Sequence, residues 1–253
     1  MRNTLFLVST SVLCFSLAAC NGGAAPVDSK QFLTTMEGPK VTGVNAALLQ
    51  AAAQAEAQGN FKLAAQNYEQ VLEKQPDDVA VLLLLADNYR RDGQAAKSIA
   101  VYNAALAKDE KNIFVKEGKS LALIASGDFD TPAVLLDEVM QVDGTRWKTL
   151  NALGILFTTR NMQPEAQQYF NEALKYHADS ASILNNMGLS QALERNFDGS
   201  VATLSRASTL AANGSLERKR IDLNNALVLA SSGKVEDAKH IAEMYLTGAE
   251  LDN

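Results

Sequence analysis

Small and apolar residues recur along the chain with a period of 34 residues. Counted from Asn45, five units begin at positions 45, 79, 113, 147 and 181, and a sixth begins at 219 after a four-residue insertion. The eighth position is small in all six units: Ala52, Ala86, Ser120, Gly154, Gly188 and Ala226. A small residue lets two helices approach closely, and a bulkier residue at the twenty-fourth position fills the space beside them. The spacing therefore predicts two packed helices in each unit.

The fifteenth position predicts where the first helix of each unit ends. Glycine occupies it in four units, whereas Asn161 and Arg195 replace glycine in the fourth and fifth. A residue with positive φ commonly ends a helix, and glycine adopts that conformation without steric cost. Pro132 falls at the start of the second helix of the third unit. Proline is tolerated in a first helical turn, so we expect a local adjustment there rather than a break.

This pattern resembles the tetratricopeptide repeat (TPR), and the resemblance covers about 200 residues. It implies an all-α, right-handed superhelical solenoid of about six helix-turn-helix repeats over residues 45–246, followed by a polar tail at 247–253. The alternative is an ordinary helical bundle whose periodicity is accidental.

The first 19 residues have the organisation of a signal peptide, with Arg2, an apolar run and small residues before Cys20. The segment Leu17-Ala18-Ala19-Cys20 resembles the lipobox of bacterial lipoproteins, which implies cleavage before Cys20 and a lipid on its thiol. Residues 20–44, rich in Gly, Ala and polar side chains, predict a flexible tether. Because Asn21 rather than Asp follows the cysteine, the same resemblance implies the periplasmic face of the outer membrane, with inner-membrane retention left open. A plain secreted protein with a chance cysteine is the alternative.

Charge and residue inventory argue against several classes of function. The formal net charge is −6 and no basic face is clustered, so the counterion release that drives nucleic-acid binding is lacking. His177 and His240 are isolated in sequence, and both cysteines lie in the first 20 residues. The segment Gly118-Lys119-Ser120 imitates the end of a phosphate-binding loop but falls within a predicted helix. We therefore expect no metal, no cofactor, no small-molecule substrate and no enzymatic activity.

The TPR resemblance also supplies candidate partner-binding residues, because the first helices of such units usually line a concave groove. In units four to six these candidates are Lys148, Asn151, Ile155, Asn185, Asn186, Leu189, Arg220, Leu223, Asn224 and Leu227. Equivalent positions of earlier units include Asp87, Arg90, Arg91, Phe114 and Glu117. The mixture suits an extended segment or a helix of another protein. Two roles stay open for the asparagines: they bond the backbone of a bound peptide, or they cross-link neighbouring first helices.

The last three units carry a more specific resemblance. Residues 147–154 (WKTLNALG), 182–190 (SILNNMGLS) and 220–230 (RIDLNNALVLA) resemble the C-terminal repeats of the TadD family, the TPR lipoproteins of the tight-adherence (Flp) pilus machinery. Asn225 departs from the usual Leu of that pattern. The resemblance implies a non-enzymatic, pilotin-like assembly factor that binds proteins of this pilus or its secretin. The alternatives are a pilotin of another type IV pilus system, and a TPR adaptor for peptidoglycan hydrolases or proteases.

Overall fold

The computed structural model of the chain describes residues 44–246, which form twelve helices and no strand. In chain order the helices are α1 Val44–Ala57, α2 Phe61–Leu72, α3 Val79–Arg91, α4 Ala95–Lys108, α5 Ile113–Ser126, α6 Thr131–Val142, α7 Trp147–Thr159, α8 Gln163–Tyr176, α9 Ala181–Leu193, α10 Phe197–Leu210, α11 Leu216–Ser231 and α12 Val235–Ala242. Odd-numbered helices are the first helices of the six units, and even-numbered helices are the second. The predicted signal peptide, Cys20, most of the tether and the polar tail lie outside the described residues.

Short polar side chains fix where several first helices begin. The Asp78 carboxylate accepts hydrogen bonds from two backbone N–H groups in the first turn of α3, at 3.0 and 3.1 Å. Asn112 caps α5 in the same way. The hydroxyl of Ser215 caps α11 by accepting a hydrogen bond from the backbone N–H of Arg218 at 3.1 Å. The first helix of the sixth unit therefore begins at Leu216, three residues before the predicted start at 219. These caps satisfy N–H groups that have no partner within the helix.

The small residues at position eight lie where the two helices of a unit cross. Every position-eight residue is buried, as the periodicity predicts. A methyl group on Gly154 would lie 2.5 Å from a ring carbon of Phe170, and one on Gly188 would lie 2.8 Å from Cγ of Leu204. The residues at position twenty-four that fill this space are fully buried in units one to five: Tyr68, Tyr102, Leu136, Phe170 and Leu204. The predicted pairing of a small residue with a large one is therefore confirmed.

The fifteenth position adopts positive φ in all six units, whether or not it is glycine. Its φ values are 74° at Gly59, 77° at Gly93, 89° at Gly127, 60° at Asn161, 63° at Arg195 and 87° at Gly233. The backbone of the turn thus imposes the left-handed conformation, and Asn161 and Arg195 accept it at a steric cost that glycine avoids. In the third unit, Pro132 lies in the first turn of α6 and does not interrupt the helix.

The first and sixth units of the solenoid meet each other. A methyl group on Gly59, in the turn between α1 and α2, would lie 2.7 Å from Cδ1 of Leu216 at the start of α11. The superhelix is therefore wound tightly enough to bring its two ends into contact. None of the described helices has the length and apolar character needed to cross a membrane.

Candidate partner-binding groove

The first helices of the six units line the concave side, and their candidate side chains differ sharply in exposure. Six of the ten predicted residues are buried: Asn151, Ile155, Asn185, Asn186, Leu189 and Asn224. The other four are half-buried: Lys148, Arg220, Leu223 and Leu227. The tight winding of the solenoid accounts for this division, because neighbouring first helices cover most of one another's inner faces. The accessible part of the predicted set is thus one cation on α7, and one cation and two leucines on α11.

The buried asparagines form a relay of side-chain amides across three first helices. Asn224 on α11 donates from Nδ2 to Oδ1 of Asn185 on α9 at 2.8 Å. Asn185 donates to Oδ1 of the adjacent Asn186 at 3.3 Å, and Asn186 donates to Oδ1 of Asn151 on α7 at 3.1 Å. A buried amide needs a partner for each polar atom, and here each asparagine supplies what the next requires. We call these four residues the amide relay.

The amide relay carries out the second of the two roles that the sequence left open for asparagines. Its side chains are at most 6% exposed, and the amides bond one another rather than facing an open cleft. A second neutral contact supports the same junction, since the hydroxyl of Thr158 on α7 lies 3.0 Å from that of Ser190 on α9. Partner binding by the ten-residue set stays a prediction, and its accessible members are Lys148, Arg220, Leu223 and Leu227.

Charged groups join the first helices in the N-terminal half of the solenoid. Glu56 on α1 accepts a hydrogen bond from Nδ2 of Asn88 on α3 at 2.6 Å and another from the hydroxyl of Tyr68 at 3.1 Å. Burial raises the pKa of Glu56 above its ordinary value of 4.5, although the hydrogen bond from Asn88 acts to lower it. This carboxylate is therefore costly to ionise where it lies.

A second junction of this kind connects α5 with α7. Glu117 on α5 accepts hydrogen bonds from Nε and Nη2 of Arg146 at 3.0 and 2.9 Å, and from the hydroxyl of Thr149 at 2.7 Å. The guanidinium carbon of Arg146 also lies 4.6 Å from the ring centroid of Phe114. A bidentate pair with a third donor satisfies most of the capacity of the Glu117 carboxylate.

Between these junctions, α3 carries a buried ion pair at the groove surface. Asp87 pairs with Arg90 one turn later, and their side chains are 9% and 2% exposed. Burial acts to raise the pKa of Asp87, but the charges of Arg90, Arg91 and Lys148 outweigh it, so the pKa is lowered from 3.8.

Arg91, the next residue, is bound quite differently. Its guanidinium carbon lies over the ring of Phe61, 3.9 Å from the ring centroid, which is a cation–π contact. Within residues 44–246 its guanidinium makes no salt bridge or hydrogen bond. The sequence placed both arginines on the groove, but two identical neighbours gave no signal that one is paired and the other is not.

The remaining sequence candidates have structural explanations. Gly118 lies within α5 beside the ring of Tyr102, which leaves no room for a side chain, and the hydroxyl of Ser120 bonds the backbone of the same helix. No phosphate-binding loop is formed by this segment, as the sequence predicts. His177 stacks on Trp147 with ring centroids 4.6 Å apart. Among the described residues, no group of three or more His, Cys, Asp or Glu is placed to hold a metal ion.

The helix pairs, the 34-residue period and the six left-handed turns define a TPR solenoid. A family model described as Tetratricopeptide repeat matches residues 55–119. This region spans the end of α1 to the middle of α5. No curated protein matches the chain by sequence.

Solved structures of TPR proteins share this fold. A thermophilic TPR protein of Thermus thermophilus aligns over 74% of this chain and 100% of its own, with 16% identity and a TM-score of 0.66. PilW, described as a widely conserved type IV pilus biogenesis factor, aligns over 81% and 93%, with 12% identity and a TM-score of 0.59. PilF of Pseudomonas aeruginosa aligns over 82% and 95%, with 17% identity and a TM-score of 0.54. At these identities the likeness is one of fold.

Proposed function

We propose that this protein is a lipid-anchored TPR scaffold at the periplasmic face of the outer membrane, where it assembles the tight-adherence (Flp) pilus or its secretin. The observation that carries the proposal is the partly exposed strip on α11, where Leu223 and Leu227 accompany Arg220 on the concave side. Leucines four residues apart, about one helical turn, beside a cation suit the apolar face of a partner segment. The solenoid supplies a rigid support for that strip.

Two features of the sequence support the membrane anchor and the machinery. The Leu17-Ala18-Ala19-Cys20 segment supports lipidation, and the three TadD-like segments at 147–154, 182–190 and 220–230 support the Flp system. A second candidate is an assembly factor of another type IV pilus system. The fold likeness to PilW, a type IV pilus biogenesis factor, favours that candidate.

The partner is best identified by photo-crosslinking in cells. A photoreactive amino acid replaces Leu223 or Leu227 in one pair of variants. In the control variants it replaces Gln168 or Arg206, which are exposed on the second helices α8 and α10. The proposal expects the α11 probes, and not the controls, to crosslink to a secretin or pilus subunit. Crosslinks to peptidoglycan hydrolases or proteases would favour the adaptor alternative, and equal labelling by all four positions would contradict a groove-directed function.

The anchor is tested separately by metabolic labelling. Radiolabelled palmitate should label the wild-type protein and not Cys20→Ala, and the variant should fractionate without the membrane. Labelling that persists in Cys20→Ala would overturn the lipoprotein part of the proposal and leave the crosslinking result unaffected.

A further inference from the structure

In the described part of the chain, the first helices begin at one edge of the solenoid and the second helices end there. Each unit joins its two helices by a turn of only three or four residues, which makes the two helices antiparallel. The start of α1 at Val44 lies on the same edge, so the preceding part of the chain enters the solenoid there. We call this side of the solenoid the entry edge.

The entry edge changes character along the solenoid. At position thirty, near the ends of the second helices, the first two units carry Lys74 and Lys108. The next three units carry Val142, Tyr176 and Leu210, which are 70%, 48% and 38% exposed. Because stacked repeats present equivalent positions in the same orientation, these three apolar side chains form a row. A single exposed apolar side chain is ordinary, whereas a row of them marks an interaction surface.

Aromatic rings and a cation adjoin this row between the third and fifth units. Trp147 stacks on His177, the residue after Tyr176, with ring centroids 4.6 Å apart. The guanidinium carbon of Arg146 lies 4.6 Å from the ring centroid of Phe114, which is exposed. These contacts connect the starts of α5 and α7 with the end of α8. We call Phe114, Val142, Trp147 and Tyr176 the apolar rim.

The apolar rim has the chemistry of side chains that lie at a membrane–water interface. Tryptophan and tyrosine concentrate at such interfaces because each joins an apolar ring to a polar group. Lysine and arginine bury their methylene stems beside apolar surface and keep their charges in water. Here Nζ of Lys148 lies 5.5 Å from the ring centroid of Trp147, and Arg146 lies over Phe114. The rim therefore combines both kinds of side chain.

We propose that the apolar rim lies in the interfacial region of the phospholipid bilayer to which the protein is anchored. This inference deepens the proposed scaffold function and rests on its lipid anchor. The path of the chain identifies the occupant, because residues 21–43 join Cys20, the proposed lipid site, to Val44 on the entry edge. The edge that carries the rim is thus the edge tied to the bilayer.

Zwitterionic lipid suits the rim better than anionic lipid. The contact is apolar and aromatic, and the net charge of −6 opposes approach to a negative surface. A lipid on Cys20 alone leaves the solenoid free to turn about its attachment. A second contact at the rim fixes which surface faces away from the bilayer, and with it the direction in which the strip on α11 meets a partner.

The test uses the fluorescence of Trp147, which is the only tryptophan of the chain. The lipidated protein is reconstituted into phosphatidylcholine vesicles whose acyl chains carry bromine, a quencher that acts at short range. Trp147 should lose much of its emission relative to vesicles without bromine, and its emission should lie at shorter wavelength than in detergent-free buffer. In the control variant, Trp147→Phe with Gln168→Trp moves the reporter to an exposed position within α8, where quenching should be absent.

A second pair of variants changes the rim and leaves the reporter in place. Val142→Asp with Tyr176→Asp introduces two negative charges at exposed rim positions and should abolish the quenching of Trp147, since charged side chains do not enter the apolar side of the interface. The matched control is Lys74→Asp, which makes the same change of net charge at position thirty of the first unit. It should leave the quenching unchanged. If the double variant fails to fold, the comparison of the two reporter positions still decides the question.

Three results would overturn the inference: no quenching of Trp147, equal quenching at both reporter positions, or an equal loss in Lys74→Asp and the double variant. Self-association that the double variant abolishes, without quenching in the wild type, would assign the rim to a second copy of the chain instead. Palmitate labelling distinguishes the two levels of failure. A protein that is labelled and fractionates with the membrane, but whose Trp147 is not quenched, would show that this inference alone has failed.

Discussion

The two halves of the solenoid join their first helices by different chemistry. From α1 to α7 the junctions are carboxylates that accept several donors: Glu56 from Asn88, and Glu117 from Arg146 and Thr149. From α7 to α11 they are neutral amides, passing from Asn151 through Asn186 and Asn185 to Asn224. An ion pair of α11, between Arg218 and Asp222, lies within that helix rather than between first helices.

The difference separates first-helix junctions that contain a titratable group from junctions that do not. Buried charges are expensive to leave unpaired and respond to pH, whereas neutral amides bond one another at any pH near neutrality. The junctions of the N-terminal half can therefore change with protonation, as the raised pKa of Glu56 indicates. The amide relay of the C-terminal half supports α11, on which Leu223 and Leu227 are half-buried.

The largest expected effect comes from breaking the buried ion pair of α3. Arg90→Met leaves the Asp87 carboxylate buried without its partner, which costs about 3–5 kcal/mol of the free energy of unfolding. Urea unfolding followed by circular dichroism measures it. The double variant Asp87→Leu with Arg90→Met removes both charges and should recover most of the loss. A single variant as stable as the wild type would contradict the importance of charge in this half.

The corresponding change in the C-terminal half removes the centre of the amide relay. Asn185→Ala leaves Asn224 without its acceptor and Asn186 without a donor, and costs about 1–3 kcal/mol for a buried polar group left unpaired. The matched control is Asn171→Ala on α8, where the asparagine is exposed and alanine is the better helix former. If both substitutions raise the melting temperature alike, the relay does not stabilise the solenoid.

A smaller effect tests the turns that both halves share. Arg195→Gly relieves a non-glycine residue held at φ 63° and should stabilise the protein by about 1 kcal/mol. Gly93→Ala, at φ 77° with open space around the added methyl group, should destabilise it by a similar amount. Thermal unfolding of both variants provides the comparison, and a change of the same sign in both would contradict the shared backbone requirement.

The smallest expected effect is the pH dependence that Glu56 introduces in the N-terminal half. The folded pKa of Glu56 is raised, so its contribution to stability is complete below the ordinary value of 4.5 and is lost as pH rises through the folded pKa. Glu56→Gln should therefore be more stable than the wild type at neutral pH and should flatten the curve above pH 4.5. Urea unfolding midpoints of both proteins, measured across that pH range, test this expectation. The same dependence of the midpoint on pH in the two proteins would exclude Glu56 as the titrating group.

Much of the fold was predictable because each unit repeats the same local rules. The period, the small residues such as Gly154 and Gly188, and the turn at position fifteen all depend on neighbours within one unit. The Asp87–Arg90 pair is also local, since residues three apart share a helix face. The junctions were not predictable in this way. Whether Asn185 bonds a ligand or Asn224, which lies 39 residues away, depends on the angle between successive units.

The contact between Gly59 and Leu216 is the least predictable of these, because its position depends on the rotation from each unit to the next between the first unit and the sixth. The repeat pattern of the sequence does not specify these rotations. The tight winding of the solenoid also buries six of the ten predicted groove residues. Only Lys148, Arg220, Leu223 and Leu227 keep part of their side chains accessible.

Amide hydrogen exchange, read by mass spectrometry on Arg90→Met and Asn185→Ala, tests the division into two halves most directly. In a repeat protein each unit is stabilised mainly by its neighbours, so a local defect opens the helices around it first. Arg90→Met should lose protection in α1 to α4 and keep it in α9 to α11, and Asn185→Ala should show the reverse. An equal loss of protection across all twelve described helices in both variants would contradict the account.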